Sequence, residues 1–357
     1  AERPVLLVGG GGWTDAGRVH LRSFAERNDL PVVVTFRRHD LFDNTDDRYA
    51  GESGVAMPAA VRRALVEADV VVALNARFGE MATGAYTLFG AGSSERPSGQ
   101  SIIHVHASEA EFGKVVDADR TVHAGPNEMA GALANVDLEG RARWARWRAE
   151  CRAAFLDTLD CPPQLGELDM GEVTAWLRDR LPDDVIVTNG AGNFSVWPNK
   201  FLLYGDRARL LASQNGTMGY GLPAAVAAKL VEPDRTVVCF AGDGDLQMNM
   251  VELGTALQED ARPIVLVVDN GSYGTIRMHQ ELHHPGRVVG TDIVNPDFVA
   301  IAGAYGMHAE QVLATADFGP AFERALASST GALLHLVVAT DQLTPRLTVE
   351  QARRTDG

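Results

Sequence analysis

The 357-residue chain has only three cysteines, Cys151, Cys161 and Cys239, and none of them forms a CxxC pair. So sparse and odd a set fits a reducing compartment and not a disulfide framework, and Cys239, inside an apolar run, reads as a small core residue. Long hydrophobic stretches are also missing: no segment approaches the roughly 20 apolar residues of a membrane span. The start lacks a charged region followed by an apolar stretch and a cleavage site, the pattern of a secretory leader. Positive charge is scarce, since 32 Lys and Arg stand against 47 Asp and Glu, a formal net charge of −15. That balance argues against nucleic-acid or anionic-membrane partners, which require clustered Lys and Arg. Acidity bears on solubility and not on fold. With 46% hydrophobic and 22% charged residues, the chain has core material for two domains of a soluble, cytoplasmic protein.

In the first part, Val-Leu-Leu-Val (5 to 8), Val-Val-Val-Thr (32 to 35), Val-Val-Val-Ala-Leu (70 to 74) and Ile-Ile-His-Val-His (102 to 106) are short apolar strands separated by helical patterns. This alternation predicts a parallel sheet. Gly9 to Gly12 fall on the first strand-to-helix turn, yet the order Gly9, Gly11, Thr14 breaks GxGxxG. The second strand ends in Thr35 and Phe36 in place of the acidic residue that would hold a ribose, so a structural glycine turn is preferred over a dinucleotide-binding oxidoreductase. His104 and His106 alternate on one face of a strand without a third ligand and read as packed or edge residues. From Glu139 to Cys161 a polar helix is expected, docking through Trp144, Trp147 and Cys151 and stopped by Pro162 and Pro163.

The second part carries the chemistry. Asp243 lies in Ala-Gly-Asp-Gly-Asp (241 to 245), directly after the apolar run Thr-Val-Val-Cys-Phe, and Asn270 closes a second run, Ile-Val-Leu-Val-Val-Asp (264 to 269). A Gly-Asp-Gly turn at one strand end and an Asn at the neighbouring one would set two hard oxygen ligands side by side at the carboxyl edge of a parallel sheet, where open α/β sheets bind ligands. Mg²⁺ takes about six oxygens and prefers few protein ligands plus phosphate and water. Asp243, Asn270 and the backbone carbonyl of Ser272 would supply three corners, and a diphosphate and a water the rest. Gly242 and Gly244 would admit the phosphates, and a helix expected to open at Leu246, with Met250, Leu253 and Leu257 on its apolar side, would aim its amides at the anion. A lone Gly-Asp-Gly usually marks an ordinary loop; the Asn at the second strand end reverses that reading.

These segments resemble the thiamine diphosphate enzymes, and within them the acetolactate synthase-like decarboxylases and carboligases of 2-oxo acids. Gln-Asn-Gly-Thr-Met-Gly-Tyr-Gly-Leu-Pro-Ala-Ala (214 to 225) is similar to that family's cofactor-bending segment, with Met218 in the position of the residue that holds thiamine in its V shape. Asn-Gly-Ala-Gly-Asn-Phe (189 to 194) resembles its upstream diphosphate loop. The resemblance implies two doubly wound parallel α/β domains: a central domain over 1–137, a linker helix over 138–165, a diphosphate-binding domain over 166–345 and a C-terminal tail over 346–357. It implies thiamine diphosphate and Mg²⁺ as cofactors, held by Asn193, Phe194, Gly216, Met218, Gly242, Asp243, Gly244, Asp245, Asn270, Ser272, Tyr273, Gly274 and Thr275, with Asp243, Asn270 and Ser272 on the metal.

Two departures from the family pattern bear on function. Acetolactate synthases hold FAD in the comparable first domain, and Asn-Ala-Arg-Phe (75 to 78) resembles a cofactor-edge motif, but His104, His106 and Ala107 replace the family's acidic run; FAD is therefore not expected. The stretch from Tyr273 to Gln280 aligns with the family's substrate channel, and His279 stands where a Trp selects the acceptor 2-oxo acid. That puts true acetolactate synthesis in doubt and makes His279 a candidate proton relay, while His283 and His284 read as loop residues. The family's leading pyrimidine-binding domain, with its activating Glu, has no match in these residues. Either these residues are the carboxyl portion of a cleaved or truncated protein, or a split gene places that domain on another polypeptide; the assembled unit would be a homo-oligomer, dimer or tetramer, and this chain alone would not turn over. The competing expectation is a noncatalytic or regulatory module that keeps the fold.

Overall fold

The computed structural model describes residues 1–92 and 94–354. It divides into two compact units, Ala1–Asp160 with Leu203–Asp206, and Cys161–Leu202 with Arg207–Gly357. The boundary falls inside the segment read from sequence as a linker.

The first unit is built on β1 (Pro4–Val8), β2 (Val32–Thr35), β3 (Tyr49–Ser53), β4 (Val70–Leu74), β5 (Ser101–His106) and β6 (Arg120–His123), paired in the order β3-β2-β1-β4-β5-β6. Every pairing is parallel. Helices α1 (Asp15–Asn28), α2 (Ala59–Glu67), α3 (Pro126–Leu133) and α4 (Ala145–Leu156) accompany the sheet. The central strands are fully buried, which explains their near-continuous Val and Leu. The helix expected over 139–161 is shorter. Gly140 adopts φ 88°, a 3-10 turn occupies Arg141–Arg143, and α4 starts only at Ala145. Its docking residues are those expected: Trp144, Trp147 and Cys151 are buried, and the two indoles donate to the carbonyls of Asn28 (2.8 Å) and Pro4 (3.1 Å).

The second unit is a parallel sheet of β7 (Ile186–Asn189), β8 (Arg209–Ala212), β9 (Val237–Gly242), β10 (Ile264–Asp269), β11 (His308–Val312) and β12 (Ala332–Val337), in the order β11-β12-β10-β9-β7-β8. Helices α5 (Met170–Arg180), α6 (Val196–Phe201), α7 (Gly221–Val231), α8 (Asp243–Asn249), α9 (Glu252–Gln258), α10 (Gly274–His283), α11 (Phe298–Ala304) and α12 (Thr315–Ala327) connect the strands. A hairpin of β13 (Gln342–Thr344) and β14 (Leu347–Thr348) leads into α13 (Val349–Arg354). Residues 346–354, read as tail, are thus ordered elements, and 355–357 lie outside the described residues. From β7 the chain passes to β8 on one side, then returns to β9 on the other. The point where strand order reverses therefore lies between β7 and β9, the position that in open α/β sheets leaves a crevice at the carboxyl ends.

One local expectation is corrected here. The helix after the Gly-Asp-Gly turn opens at Asp243, not Leu246, with Gly242 as its cap at φ −78°, ψ 162°. Asp243 and Asp245 thus sit in its first turn, where carboxylates suit the positive end of a helix. The helix then breaks at Met250 and Val251, so Leu253 continues the buried stripe while Leu257 is 60% exposed.

Candidate functional site

Val268 of β10 pairs with Gly242 of β9. One and two residues later the two parallel strands release Asp243 on one side and Asp269 and Asn270 on the other, so both expected ligands leave the same sheet edge. Loops after β7, β8, β9 and β10 enclose a cavity of about 270 Å³ lined by Asn193, Phe194, Gly216, Met218, Gly242, Asp243, Gly244, Asp245, Asn270, Ser272, Tyr273, Gly274 and Thr275. These are all thirteen of the residues singled out from sequence as cofactor contacts.

Each loop is tied to its neighbours. The Asp245 carboxylate accepts from the backbone amides of Ala191 (3.1 Å) and Gly219 (2.9 Å), joining the loops after β7 and β8 to α8. Thr275 Oγ donates to Asn193 Oδ1 (2.9 Å) and accepts from the Asn193 amide (3.0 Å). Asn270 Oδ1 accepts from the Ser272 amide at 3.1 Å, and the Asn270 carbonyl accepts from Thr340 Oγ at 2.8 Å. The glycines have a more specific reason than backbone approach to an anion. A Cβ on Gly242 would lie 2.7 Å from the Phe194 ring, and one on Gly244 2.7 Å from the Tyr273 ring. Gly216, at φ +75° with nothing within 4 Å of its Cβ position, is the glycine that opens onto free space in the cavity wall.

The electrostatics separate two neighbouring carboxyls. Burial raises Asp243 above the ordinary carboxylate range, opposed by the Asn295 and Gly244 hydrogen bonds and reinforced by the charge of Asp269. Burial also works to raise Asp269, but the His335 hydrogen bond and the Gly271 amide outweigh it and hold this carboxyl low. Asp269 Oδ2 meets His335 Nε2 at 2.7 Å, and its Oδ1 accepts from Gly271 N at 2.8 Å.

The donor set suits a magnesium diphosphate. Asp243, Asn270 and Ser272 all belong to the cavity wall, and among them they carry a carboxylate, an amide oxygen and a backbone carbonyl. Among the described residues no three His, Cys, Asp or Glu side chains group as a metal site, so a cation here would take most of its oxygens from phosphate and water, as Mg²⁺ does.

His279 is placed elsewhere. It lies on the exposed side of α10, outside the residues lining the cavity, with its ring stacked on His283 at 6.0 Å and 8°. Helical spacing accounts for this: Met278 and Leu282 pack under α13, which turns His279 and His283 outward. His283 ends α10 and His284 caps it, so these are helix-end and not loop residues. Sequence reading missed the far wall, Gln164, Leu165, Leu168 and Met170 from the start of the unit and Gln342 and Leu343 from β13. It also missed Asp269, Asn295 and His335; only Asp269, beside Asn270 at a strand end, carried a signal.

A profile of the thiamine pyrophosphate enzyme C-terminal TPP binding domain matches residues 190–336, and one of the thiamine pyrophosphate enzyme central domain matches residues 1–133. The chain belongs to the thiamine pyrophosphate enzymes. It is 34% identical over 313 residues to the acetolactate synthase large subunit of Parasynechococcus marenigrum, covering 86% of this chain and 49% of that protein. To the large subunit of acetolactate synthase isozyme 2 of Escherichia coli it is 29% identical over 345 residues, 96% of this chain and 61% of the relative. The mitochondrial acetolactate synthase catalytic subunit of Saccharomyces cerevisiae is 28% identical over 319 residues, 86% of this chain and 46% of that one. The chain thus spans about half the length of the curated relatives it matches. The thirteen cavity residues singled out from sequence all fall inside the TPP binding domain match, while the far-wall residues 164–170 and 338–343 lie outside it.

In the central domain of this thiamine pyrophosphate enzyme, the glycine turn after β1 is packed by the protein itself. Asn75 Nδ2 donates to the carbonyls of Gly9 (3.2 Å) and Gly11 (2.8 Å), and a Cβ on Gly10, which has φ +68°, would lie 2.3 Å from the Asn75 carbonyl. His104 is buried, bonds the Ala76 carbonyl at 3.0 Å and packs on Phe78 and Phe112, and burial lowers its pKa.

Proposed function

We propose that this chain supplies the diphosphate-holding half of a thiamine diphosphate- and Mg²⁺-dependent active site that decarboxylates a 2-oxo acid or joins the resulting fragment to a second carbonyl compound. The observation that carries this reading is the meeting of Asp243 and Asn270, at adjacent strand ends, on the wall of the cavity that also takes in Met218 and the 190–194 loop. When bound, thiamine diphosphate supplies the electron sink for the pair released with CO2.

The residues divide the remaining work. Asp243, Asn270 and the Ser272 carbonyl would hold the cation that anchors the diphosphate. Met218 would support the cofactor from the cavity wall. Leu165, Leu168 and Leu343 give the far wall an apolar surface that excludes water. Among the described residues that line the cavity none is Lys, Arg or His, so its wall offers a substrate carboxylate no cationic side chain.

The proposal includes a pyrimidine-binding segment on another polypeptide, in a cytoplasmic homo-oligomer. Tyr220, in the Met218 loop, and Met248, which lies 2.7 Å from a Cβ built on Gly219, are 37% and 50% exposed and would offer it an apolar docking face. FAD is not included in the proposal; in support, Asn75 bonds the carbonyls of Gly9 and Gly11 in the glycine turn after β1. The test is CO2 release from a panel of 2-oxo acids in the presence of thiamine diphosphate and Mg²⁺. The isolated chain should be inactive and regain turnover with a pyrimidine-binding partner. Turnover at a normal rate by the chain free of any other polypeptide would remove the half-site reading.

A further inference from the structure

Between α10 and α11 the chain crosses in front of the metal loop without regular structure, and it is pinned there. Tyr273 N donates to the Thr291 carbonyl (2.8 Å), Ser272 Oγ to the same oxygen (3.0 Å) and Ile293 N to the Gly271 carbonyl (2.9 Å). Gln280 adds a second clamp, accepting from Val289 N (3.1 Å) and donating to its carbonyl (3.0 Å). This segment delivers Asn295, half-buried, to the carboxylates at the ends of β9 and β10. Its Nδ2 lies 2.8 Å from Asp243 Oδ2 and 2.8 Å from Asp269 Oδ1.

The orientation of that amide is set by its neighbour. Gln247 Nε2 donates to Asn295 Oδ1 at 2.9 Å, so the oxygen faces Gln247 and both N–H groups face the two carboxylates. Asp269 is held in turn by His335, whose Nδ1 lies 3.4 Å from Gln311 Nε2. A chain of contacts therefore runs from β11 and β12 through Asp269 and Asn295 to the carboxylate expected on the cation.

We propose that Asn295 is a positioning residue for the divalent cation: it bridges Asp243 and Asp269, fixes Asp243 Oδ2 and leaves that carboxylate in one orientation for the metal. The inference rests on the Mg²⁺ diphosphate reading of the cavity. Without Asn295, Asp269 keeps His335 and the Gly271 amide, whereas Asp243 keeps the Gly244 amide on Oδ1 (2.9 Å) and loses the donor on Oδ2, and a ligand carboxylate that must be reoriented binds its cation more weakly. Outer partners of metal ligands typically change affinity by about 10- to 100-fold when removed.

The test uses the full protein and titrates Mg²⁺ at saturating thiamine diphosphate, with the environment of bound Mn²⁺ followed by electron paramagnetic resonance. Asn295→Ala should raise the apparent Kd for Mg²⁺ by about 10- to 100-fold and broaden the Mn²⁺ signal, while excess Mg²⁺ restores cofactor binding. Gln247→Met keeps Asn295 in place but removes the contact that orients it. It should shift the Kd the same way by a smaller factor, and it decides the matter if the alanine variant does not fold. Unchanged Mg²⁺ affinity in the folded variants, with the wild type binding normally, would overturn the role of Asn295 alone. Failure of the wild type to bind cofactor with Mg²⁺ would overturn this inference together with the reading beneath it.

Discussion

Asp245 is the side chain whose removal should cost the diphosphate domain most for a single polar contact set. It is 3% exposed, and its Oδ1 accepts two backbone amides from two different loops, Ala191 at 3.1 Å and Gly219 at 2.9 Å. Hydrogen bonds to charged groups contribute about 1.5–3 kcal/mol each. The Ala191 amide is only partly buried and can turn to water, so Asp245→Ala is expected to destabilise by about 3 kcal/mol, not the full sum. For a unit of roughly 150–250 residues, about 2–4 °C per kcal/mol turns this into a fall in Tm of about 6–12 °C. Scanning calorimetry of the cofactor-free protein reads the shift directly. Because the loops that lose their anchor line the cavity, thiamine diphosphate affinity should fall in the same variant. Asp245→Asn, which keeps the shape and one acceptor, should fall between. A shift below about 2 °C for the alanine variant would refute the assignment of Asp245 as the staple of these loops.

Three further outcomes test other parts of the account. Gly10→Ala forces a Cβ into the left-handed region and to 2.3 Å from the Asn75 carbonyl; it should cost about 2–4 kcal/mol in thermal unfolding and leave cofactor titrations of the folded protein unchanged. Glu281 has its pKa depressed to about 2, by the Arg353 hydrogen bond first and the Gly286 amide after it. A depressed carboxylate contributes stability above its unfolded value and loses it as pH falls, so the docking of α13 should persist at pH 5 and fail progressively between about 4.5 and 2, read as hydrogen exchange in residues 349–354. His279→Ala should leave cofactor affinity and turnover of the assembled enzyme within about twofold of wild type, since removing an exposed side chain away from the site is close to neutral; a loss of tenfold or more would return His279 to the reaction.

How much of this was readable depended on whether the signal was local. Strands β9 and β10 are uninterrupted apolar runs because parallel strands are buried on both faces, and their ends announce Asp243 and Asn270. Once those ends are neighbours, the loops after β7 and β8 have only one edge to converge on, so thirteen residues spread from 193 to 275 meet in one cavity. Strand β3, Tyr-Ala-Gly-Glu-Ser, and the largely exposed β6, Arg-Thr-Val-His, have no apolar run and were not visible. Neither was Asn295, which reaches the site on an irregular segment whose position is fixed by backbone pairing with the loop after β10, a contact no periodicity encodes. The outward turn of His279 follows from α13 packing on the other side of α10, a tertiary choice made about 70 residues later in the chain.

The central claim is that the pair Asp243 and Asn270 anchors thiamine diphosphate through a divalent cation. Isothermal titration of the assembled protein with thiamine diphosphate, with Mg²⁺ present and after its removal by chelation, in wild type and Asp243→Ala, tests it most directly. Saturable binding only in wild type with Mg²⁺ is the predicted result. Equal affinity in the variant, or binding indifferent to the cation, would contradict it.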